Sequence, residues 1–161
     1  MSQKPTARKK IKSRSGGRLR QQFAALPVRM TEAGEPEILL VTSRGTQRWI
    51  IPKGWPMRRL TPGQAAAREA YEEAGLEGEI DAEQPIGSYL YEKRMGNGNV
   101  ARIEVSIFLL RVSRQLAAWP EQAERETRWF NPADASRLVA EPDLAIILRD
   151  IDGITATASL Q

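Results

Sequence analysis

The sequence predicts an α/β sandwich with a central mixed β-sheet. Strand patterns and helix patterns alternate along the chain. The strand patterns are segments in which apolar and polar residues alternate, as in half-buried strands. The 161 residues, 41% of them hydrophobic, are enough for one compact domain with a core. No apolar run approaches the length of a membrane span. We therefore expect a single folded domain over residues 18–155.

Three strand candidates precede the first helix. They cover residues 22–30, 37–42 and 48–51, and Pro52 stops the third. Gly45 lies between the second and the third, where it suits a hairpin turn.

The first helix has clear start and stop signals. Thr61 is a good N-cap, Pro62 occupies the first helical position, and Gln64 completes a capping box. The following residues to position 74 are rich in Ala and Glu, and Gly75 stands where a C-terminal cap is expected.

The remaining elements are a hairpin, a strand and two helices. The hairpin pairs residues 86–95 with 100–112, and in its second strand only Phe108 interrupts an alternation of apolar and polar residues. A short strand follows at 127–130. Asn131 caps a helix through about residue 139, and Pro142 opens another that contains Leu144, Ile147, Leu148 and Ile151.

The chain contains neither cysteine nor histidine. Disulfides, thiolate nucleophiles, histidine bases and His-ligated zinc are therefore excluded. Acid–base or metal chemistry must use carboxylates, which favour hard cations such as Mg²⁺ or Mn²⁺.

The net charge of +4 is unevenly distributed. Eight of the 24 basic side chains lie in residues 1–20, which hold no acid, so the rest of the chain is mildly acidic. We interpret residues 1–17 as a disordered basic tail and 156–161 as a C-terminal tail. The basic tail is either solubilising, which we favour, or an arm that attracts nucleic acid or polyphosphate. It lacks a secretory apolar segment and only faintly resembles a mitochondrial presequence, so we expect a cytoplasmic protein.

Three carboxylates crowd one side of the first helix. At about 100° per residue, Ala67, Ala70, Tyr71 and Ala74 form the expected buried face, and the opposite side carries Glu69, Glu72 and Glu73. Like charges at this spacing repel, and acids near a helix C-terminus oppose its dipole, by a few tenths to about 1 kcal/mol each. Bound divalent cations would reverse both effects. The alternative is a solvated acidic face, partly relieved by Arg68, and the flanking residues decide against it.

The segment from Gly54 to Leu76 resembles the Nudix box, G-x5-E-x7-R-E-U-x-E-E-x-G-U, in which U is aliphatic. Eight of its nine specified positions match: Gly54, Arg68, Glu69, Ala70, Glu72, Glu73, Gly75 and Leu76. The resemblance covers residues 20–152 and implies a Nudix-type α/β/α sandwich. The first Glu of the pattern is Leu60 here, for which we expect altered loop support rather than loss of activity, with Arg68 paired to Glu69, to Glu72 or to another acid.

The resemblance also implies roles. Glu69, Glu72 and Arg68 would belong to the catalytic machinery. Glu72 and Glu73 would bind metal, with Glu69 a third ligand or the base that activates water. A further acidic ligand would come from a loop before the last strand, where we expect Glu124 or, second, Glu126.

Basic residues near this segment are candidates to hold substrate phosphates, with Gly54 beside them: Arg48, Lys53 and Arg94. The segment 51–57 is similar to the Pro-Lys-Gly loop of Nudix enzymes that act on diphosphoinositol polyphosphates and dinucleoside polyphosphates. We therefore expect an Mg²⁺- or Mn²⁺-dependent hydrolase of a phosphoanhydride bond in such a small molecule. The competing hypothesis is a non-catalytic Nudix-like module that binds nucleotide or nucleic acid.

Overall fold

An eight-stranded mixed β-sheet forms the centre of the structure, which confirms the predicted sandwich. The computed structural model describes residues 19–159, so the basic segment predicted at 1–17 lies outside the described residues. The strands are β1 (Arg20–Met30), β2 (Pro36–Thr42), β3 (Trp49–Ile50), β4 (Lys53–Gly54), β5 (Leu76–Ile80), β6 (Gly87–Arg94), β7 (Val100–Gln115) and β8 (Thr127–Phe130). The helices are α1 (Pro62–Ala74), α2 (Pro132–Leu138), α3 (Pro142–Arg149) and α4 (Ile151–Ser159). Within residues 19–159, no helix has the length and apolar character needed to cross a membrane.

The sheet is mixed because one pair of its strands is parallel. β1 and β7 run side by side in parallel, from Arg20 opposite Ile103 to Val28 opposite Arg111. The main path of the sheet is β3-β2-β1-β7-β5, and β4, β6 and β8 pair with β1, β7 and β2 respectively. These other pairings are antiparallel.

The core is divided between the two faces of the sheet. On one face the helix residues Ala66, Ala70 and Ala74 of α1 pack with Leu39 and Phe108. On the other face Leu144 and Leu148 of α3 belong to a cluster of apolar residues from β1, β2, β6 and β7. Because helices cover both faces, Phe108 is buried where a one-sided strand would carry a polar residue.

The cap residues of α1 act as the sequence predicts. The Thr61 side chain accepts a hydrogen bond from the Gln64 N–H (3.3 Å), and the Gln64 side chain accepts one from the Thr61 N–H (3.0 Å). Gly75 ends the helix in the left-handed conformation at φ 67°.

The structure differs from the prediction at β4, at β5 and at the C-terminus. β4 has two residues and exists only through its pairing with β1, so it has no local signal. β5 contains Gly78 at a register shift and lacks a clean alternation. The last helical segment divides at Asp150, and α4 continues to Ser159, into the stretch expected to be a tail.

Candidate active site

The loop before α1 is attached to the sheet through β4. Phe23 and Ala24 of β1 lie opposite Gly54 and Lys53. The Lys53 N–H also donates a hydrogen bond to Glu73 Oε2 (3.1 Å). The loop and the last turn of α1 are therefore fixed against each other at one end of the helix.

A cleft of about 440 Å³ opens between this loop, α1 and the segment that follows β7. Its charged lining includes acidic and basic side chains in equal number: Glu69, Glu72, Glu73 and Glu121 with Arg44, Lys53, Lys93 and Arg125. The three glutamates predicted to share a patch thus share a cleft. Acid and base within one cleft can bind a cation and the phosphates of a substrate together.

Glu73 is the most enclosed of these acids and is only 4% exposed. Its Oε1 lies 3.0 Å from the Arg125 guanidinium, while Oε2 accepts the Lys53 N–H. Burial raises the pKa of Glu73 to about 8, and the positive charge of Arg125 opposes that rise. Glu73 is thus buried although helix spacing places it opposite the expected buried face of α1, because the segment after β7 covers this side of the helix.

Glu69 is half-buried and lies directly against Gly54. A Cβ atom at position 54 would overlap the Glu69 carboxylate, so this side chain keeps its place against the loop only when residue 54 is glycine. Burial, followed by the negative charges of Glu72 and Glu121, raises the pKa of Glu69 to about 7. Glu69 can therefore bind or release a proton near neutral pH.

Arg68 pairs with Glu72 and with neither of the other box glutamates. Its Nε lies 3.0 Å from Glu72 Oε1, and the arginine side chain is 53% exposed. Leu60, at the position where the Nudix pattern has its first Glu, is 39% exposed. Arg68 thus has an acidic partner in Glu72, one turn along the same helix.

Residues 115–126, which we call the clasp, close the C-terminal end of α1. The carbonyls of four consecutive residues at a helix end have no partner within the helix. Here the clasp supplies a donor for each of four successive carbonyls. The pairs are Glu121 N–H to Glu72 (2.9 Å), Trp119 Nε1 to Glu73 (3.2 Å), Gln115 Nε2 to Ala74 (3.0 Å) and Leu116 N–H to Gly75 (2.8 Å).

The clasp brings two charged residues to the cleft that the sequence did not single out. Glu121 lines the cleft, and Arg125 bridges it to Glu73, with Nε 3.0 Å from Glu121 Oε1. The local signal for both was weak: an acid and a base four residues apart in an irregular segment. Glu124, the expected fourth ligand, is absent from the cleft lining and pairs with Arg44 at 3.6 Å. Glu126 pairs with Arg128 on the exposed surface.

Among the three predicted phosphate-binding cations, the structure brings only Lys53 into the cleft. Its Nζ lies 5.0 Å from the centre of the Tyr91 ring, and burial lowers the pKa of Lys53 to about 8, with Glu73 opposing. Arg48 instead lies 3.6 Å from Glu141, and Arg94 is exposed at the end of β6. Neither lines the cleft. Lys93 and Arg44 do.

Trp55 lines the cleft, and its ring contacts two cations. The Arg20 guanidinium lies 4.3 Å from the centre of its ring, and Lys93 Nζ lies 5.9 Å from it. The ring also packs against the apolar cluster on the α3 face of the sheet. Trp55 therefore packs against the core and contacts two cations, of which Lys93 lines the cleft.

The donor set suits a hard divalent cation, which prefers carboxylate oxygens. Within the described part of the chain, no three acidic side chains already surround one point as a coordination sphere. Glu72 and Glu73 are engaged by Arg68 and Arg125. The oxygens line a common space, and cation binding would require some of these ion pairs to open or to share an oxygen.

Comparison with known families agrees with the resemblance to the Nudix box. A NUDIX domain model matches residues 19–151. The chain belongs to the Nudix family. Nudix hydrolases generally use divalent metal ions such as Mg²⁺.

Curated relatives of this Nudix chain include "Nudix hydrolase 13, mitochondrial" from Arabidopsis thaliana, 34% identical over 63% of this chain and 52% of the relative. Another is "Diphosphoinositol polyphosphate phosphohydrolase 2" from Rattus norvegicus, 32% identical over 65% of this chain and 55% of the relative. The chain thus spans about half the length of these relatives.

Solved structures show the same fold. An Ap4A hydrolase binary complex from C. elegans superposes with a TM-score of 0.66 and 22% identity, over 86% of this chain and 99% of the other. The NUDIX domain of Shewanella oneidensis NrtR, complexed with ADP ribose, gives a TM-score of 0.62 at 14% identity, over 86% and 90% of the two chains. At these identities the likeness establishes the Nudix fold and nothing finer.

Proposed function

We propose that this Nudix chain hydrolyses a phosphoanhydride bond in a heavily phosphorylated small molecule and that it depends on Mg²⁺ or Mn²⁺. The supporting observation is the cleft, in which four carboxylates from α1 and the clasp face basic side chains from β4, β6 and the β2–β3 turn. A diphosphate needs both kinds of group, because its charge repels an incoming hydroxide and has to be neutralised.

The residues proposed to hold the cation are Glu72, Glu73 and Glu121, and Glu69 is either a further ligand or the base that activates water. This set replaces Glu124 by Glu121, the clasp acid that lines the cleft. When bound, the cation would neutralise phosphate oxygens and lower the pKa of a water molecule. Because α1 and the clasp are joined by hydrogen bonds, they present these oxygens in fixed positions.

Glu69 is proposed to take the proton of the attacking water. Its pKa of about 7 lies near the pH at which a general base works best. Gly54 holds the carboxylate in the cleft by close contact, and Arg68 fixes its neighbour Glu72. If Glu69 is instead a third metal ligand, a solvent water molecule takes the proton of the attacking water. The pH dependence of the rate would then show no titration of Glu69.

Lys53 and Lys93 are the proposed partners of the substrate phosphates, with Arg44 at the clasp side of the cleft. Arg48 and Arg94 remain candidates only for parts of a large substrate that extend beyond the cleft. Two substrate classes fit this charge arrangement: diphosphoinositol polyphosphates and dinucleoside polyphosphates. The similarity of segment 51–57 supports both classes. The name of a relative that shares about half of its length with this chain supports the first.

A substrate panel tests the proposal. It would contain a diphosphoinositol polyphosphate, a diadenosine polyphosphate, a nucleoside triphosphate and a capped RNA, each incubated with Mg²⁺, with Mn²⁺ or with EDTA, and with the products identified. We expect cleavage of at least one compound in the presence of metal. Glu72→Gln should lower turnover by about 100-fold or more, the scale for losing a group that stabilises charge in the transition state.

Glu77→Gln is the matched control, because the Glu77 side chain is 44% exposed and pairs with Arg114 outside the cleft. It should retain wild-type turnover. If the wild type cleaves no compound, the enzyme proposal fails, and binding without cleavage would support the non-catalytic module.

For cellular location we propose the cytoplasm, on the character of the sequence alone. Some relatives carry the word mitochondrial in their names. Imaging a C-terminal fluorescent fusion would decide, and import into an organelle would contradict the proposal.

A further inference from the structure

Arg125 is a buried cation among the cleft acids. Its side chain is 7% exposed, compared with 53% for Arg68 and 60% for Arg44. The guanidinium lies 3.0 Å from both Glu73 Oε1 and Glu121 Oε1, and it donates to the Thr42 carbonyl (3.1 Å). One side chain thus links α1, the clasp and the end of β2.

The burial of this arginine distinguishes it from the other cations that pair with cleft acids. Exposed ion pairs are screened by water and contribute little, whereas a buried charge left without its partner is strongly destabilising. Glu73 and Glu121 lie on different segments and both contact this guanidinium. Without it they could be ionised together only at the cost of repulsion between them, which would weaken the attachment of the clasp to α1.

We propose that Arg125 is a positioning residue that serves as the built-in counter-cation of the cleft. It neutralises Glu73 and Glu121 and holds the clasp on α1, so that the acidic cleft stays assembled independently of a divalent cation. The inference rests on the proposed function, because it treats these carboxylates as the groups that a divalent cation would also neutralise.

The proposal predicts a specific interaction between arginine and metal. In Arg125→Met, the buried carboxylates lose their counter-charge, and a divalent cation can restore it. If Arg125 acted only by packing and by its bond to Thr42, a cation could not replace it, and the loss of stability would be the same with and without metal.

The experiment compares midpoints of thermal unfolding in EDTA and in excess Mn²⁺. Arg125→Met should lower the midpoint in EDTA by about 10 °C, the scale for breaking a buried ion pair in a domain of this size. Mn²⁺ should recover at least half of that loss, so the increment due to Mn²⁺ should be clearly larger than in the wild type. Arg125→Lys keeps the positive charge but cannot bridge both carboxylates. Its unfolding midpoint in EDTA and its increment due to Mn²⁺ should therefore lie between those of the wild type and Arg125→Met.

Arg114→Met is the matched control, since Arg114 forms a short but exposed pair with Glu77 away from the cleft. It should show the wild-type increment. Equal increments for wild type and Arg125→Met would overturn the role of Arg125. If Mn²⁺ shifts the unfolding midpoint of neither protein, the proposed metal dependence fails as well. Equal but measurable increments would instead contradict only the role of Arg125.

A second variant covers the case in which Arg125→Met does not fold in EDTA. Adding Glu121→Gln removes one of the two charges that Arg125 balances, so the double variant should regain folding in EDTA. Two results together would overturn the proposal. The double variant would be no more folded in EDTA than Arg125→Met, and Arg125→Lys would show the same midpoint increment due to Mn²⁺ as the wild type.

Discussion

Glu69 and Glu73 carry their charges in surroundings that oppose ionisation. Burial is the main cause in both, and it raises the pKa of Glu69 to about 7 and that of Glu73 to about 8. Such shifts are typical of groups that act on protons or bind cations. The positions of these carboxylates are fixed by backbone contacts, because Gly54 lies against Glu69 and the Lys53 N–H binds Glu73.

Gly54→Ala tests the contact between loop and base. The new methyl would overlap the end of the flexible Glu69 side chain, which can move aside at little cost in stability. We expect turnover to fall by about 10- to 100-fold, the effect of misplacing a catalytic group by about 1 Å, with the unfolding midpoint nearly unchanged. Gly96→Ala is the control, because nothing lies within 4 Å of a Cβ at the hairpin tip. A variant with full turnover would show that the position of Glu69 is unimportant.

The sequence predicts those residues of the site that lie on α1, because their positions follow from helix spacing. Glu69, Glu72 and Glu73 share a cleft because they share one helix side. Glu73 is nevertheless buried, since the clasp covers that side of α1 from far along the chain, with Trp119 bonded to the Glu73 carbonyl across 46 residues. Glu121 and Arg125 escape prediction for the same reason: their segment has no periodicity, so sequence cannot distinguish Glu121 from Glu124.

The elements around the cleft are positioned by caps and by one strained loop. α1 begins and ends where its cap residues predict. By contrast, β4 depends wholly on pairing with β1, and two residues are too few to produce a pattern. The loop between β4 and α1 contains Arg59 at φ 66°, a left-handed conformation that residues with a side chain rarely adopt.

Arg59→Gly should stabilise the protein, because glycine adopts this conformation without the steric penalty. That penalty is about 1–2 kcal/mol, and the greater freedom of glycine in the unfolded chain offsets part of it. We expect the free energy of unfolding in urea to rise by about 0.5–1 kcal/mol. Arg58→Gly is the control: Arg58 has no positive φ, so its replacement should be neutral or destabilising. An equal effect of both changes would exclude relief of strain at position 59.

At the scale of the whole molecule, the cleft links stability, pH and metal. Between the ordinary carboxyl pKa of 4.5 and about 7, folded Glu69 binds a proton that the unfolded chain has released. Without metal, this group therefore makes the folded state less stable as the pH rises through that range. A divalent cation needs the ionised carboxylate, so it binds more strongly as the pH rises.

Thermal unfolding across pH measures this linkage. In EDTA, the contribution of Glu69 lowers the midpoint between pH 5 and pH 7, and the increment due to Mg²⁺ should grow from pH 6 to pH 8. Glu69→Gln should reduce both trends, because glutamine does not titrate and the raised pKa of Glu73 alone then contributes. An Mg²⁺ increment that is constant over this range would show that no proton is displaced from the cleft.

The proposed function depends first on whether the acidic cleft binds a divalent cation. Mn²⁺ binding can be followed by the loss of the free-ion signal in electron paramagnetic resonance, for wild type, Glu72→Gln and Glu77→Gln at pH 7.5. We expect saturable binding by wild type and Glu77→Gln, with an affinity about 10- to 100-fold lower in Glu72→Gln. Equal affinity in all three proteins, or no saturable binding by the wild type, would contradict the proposed metal site.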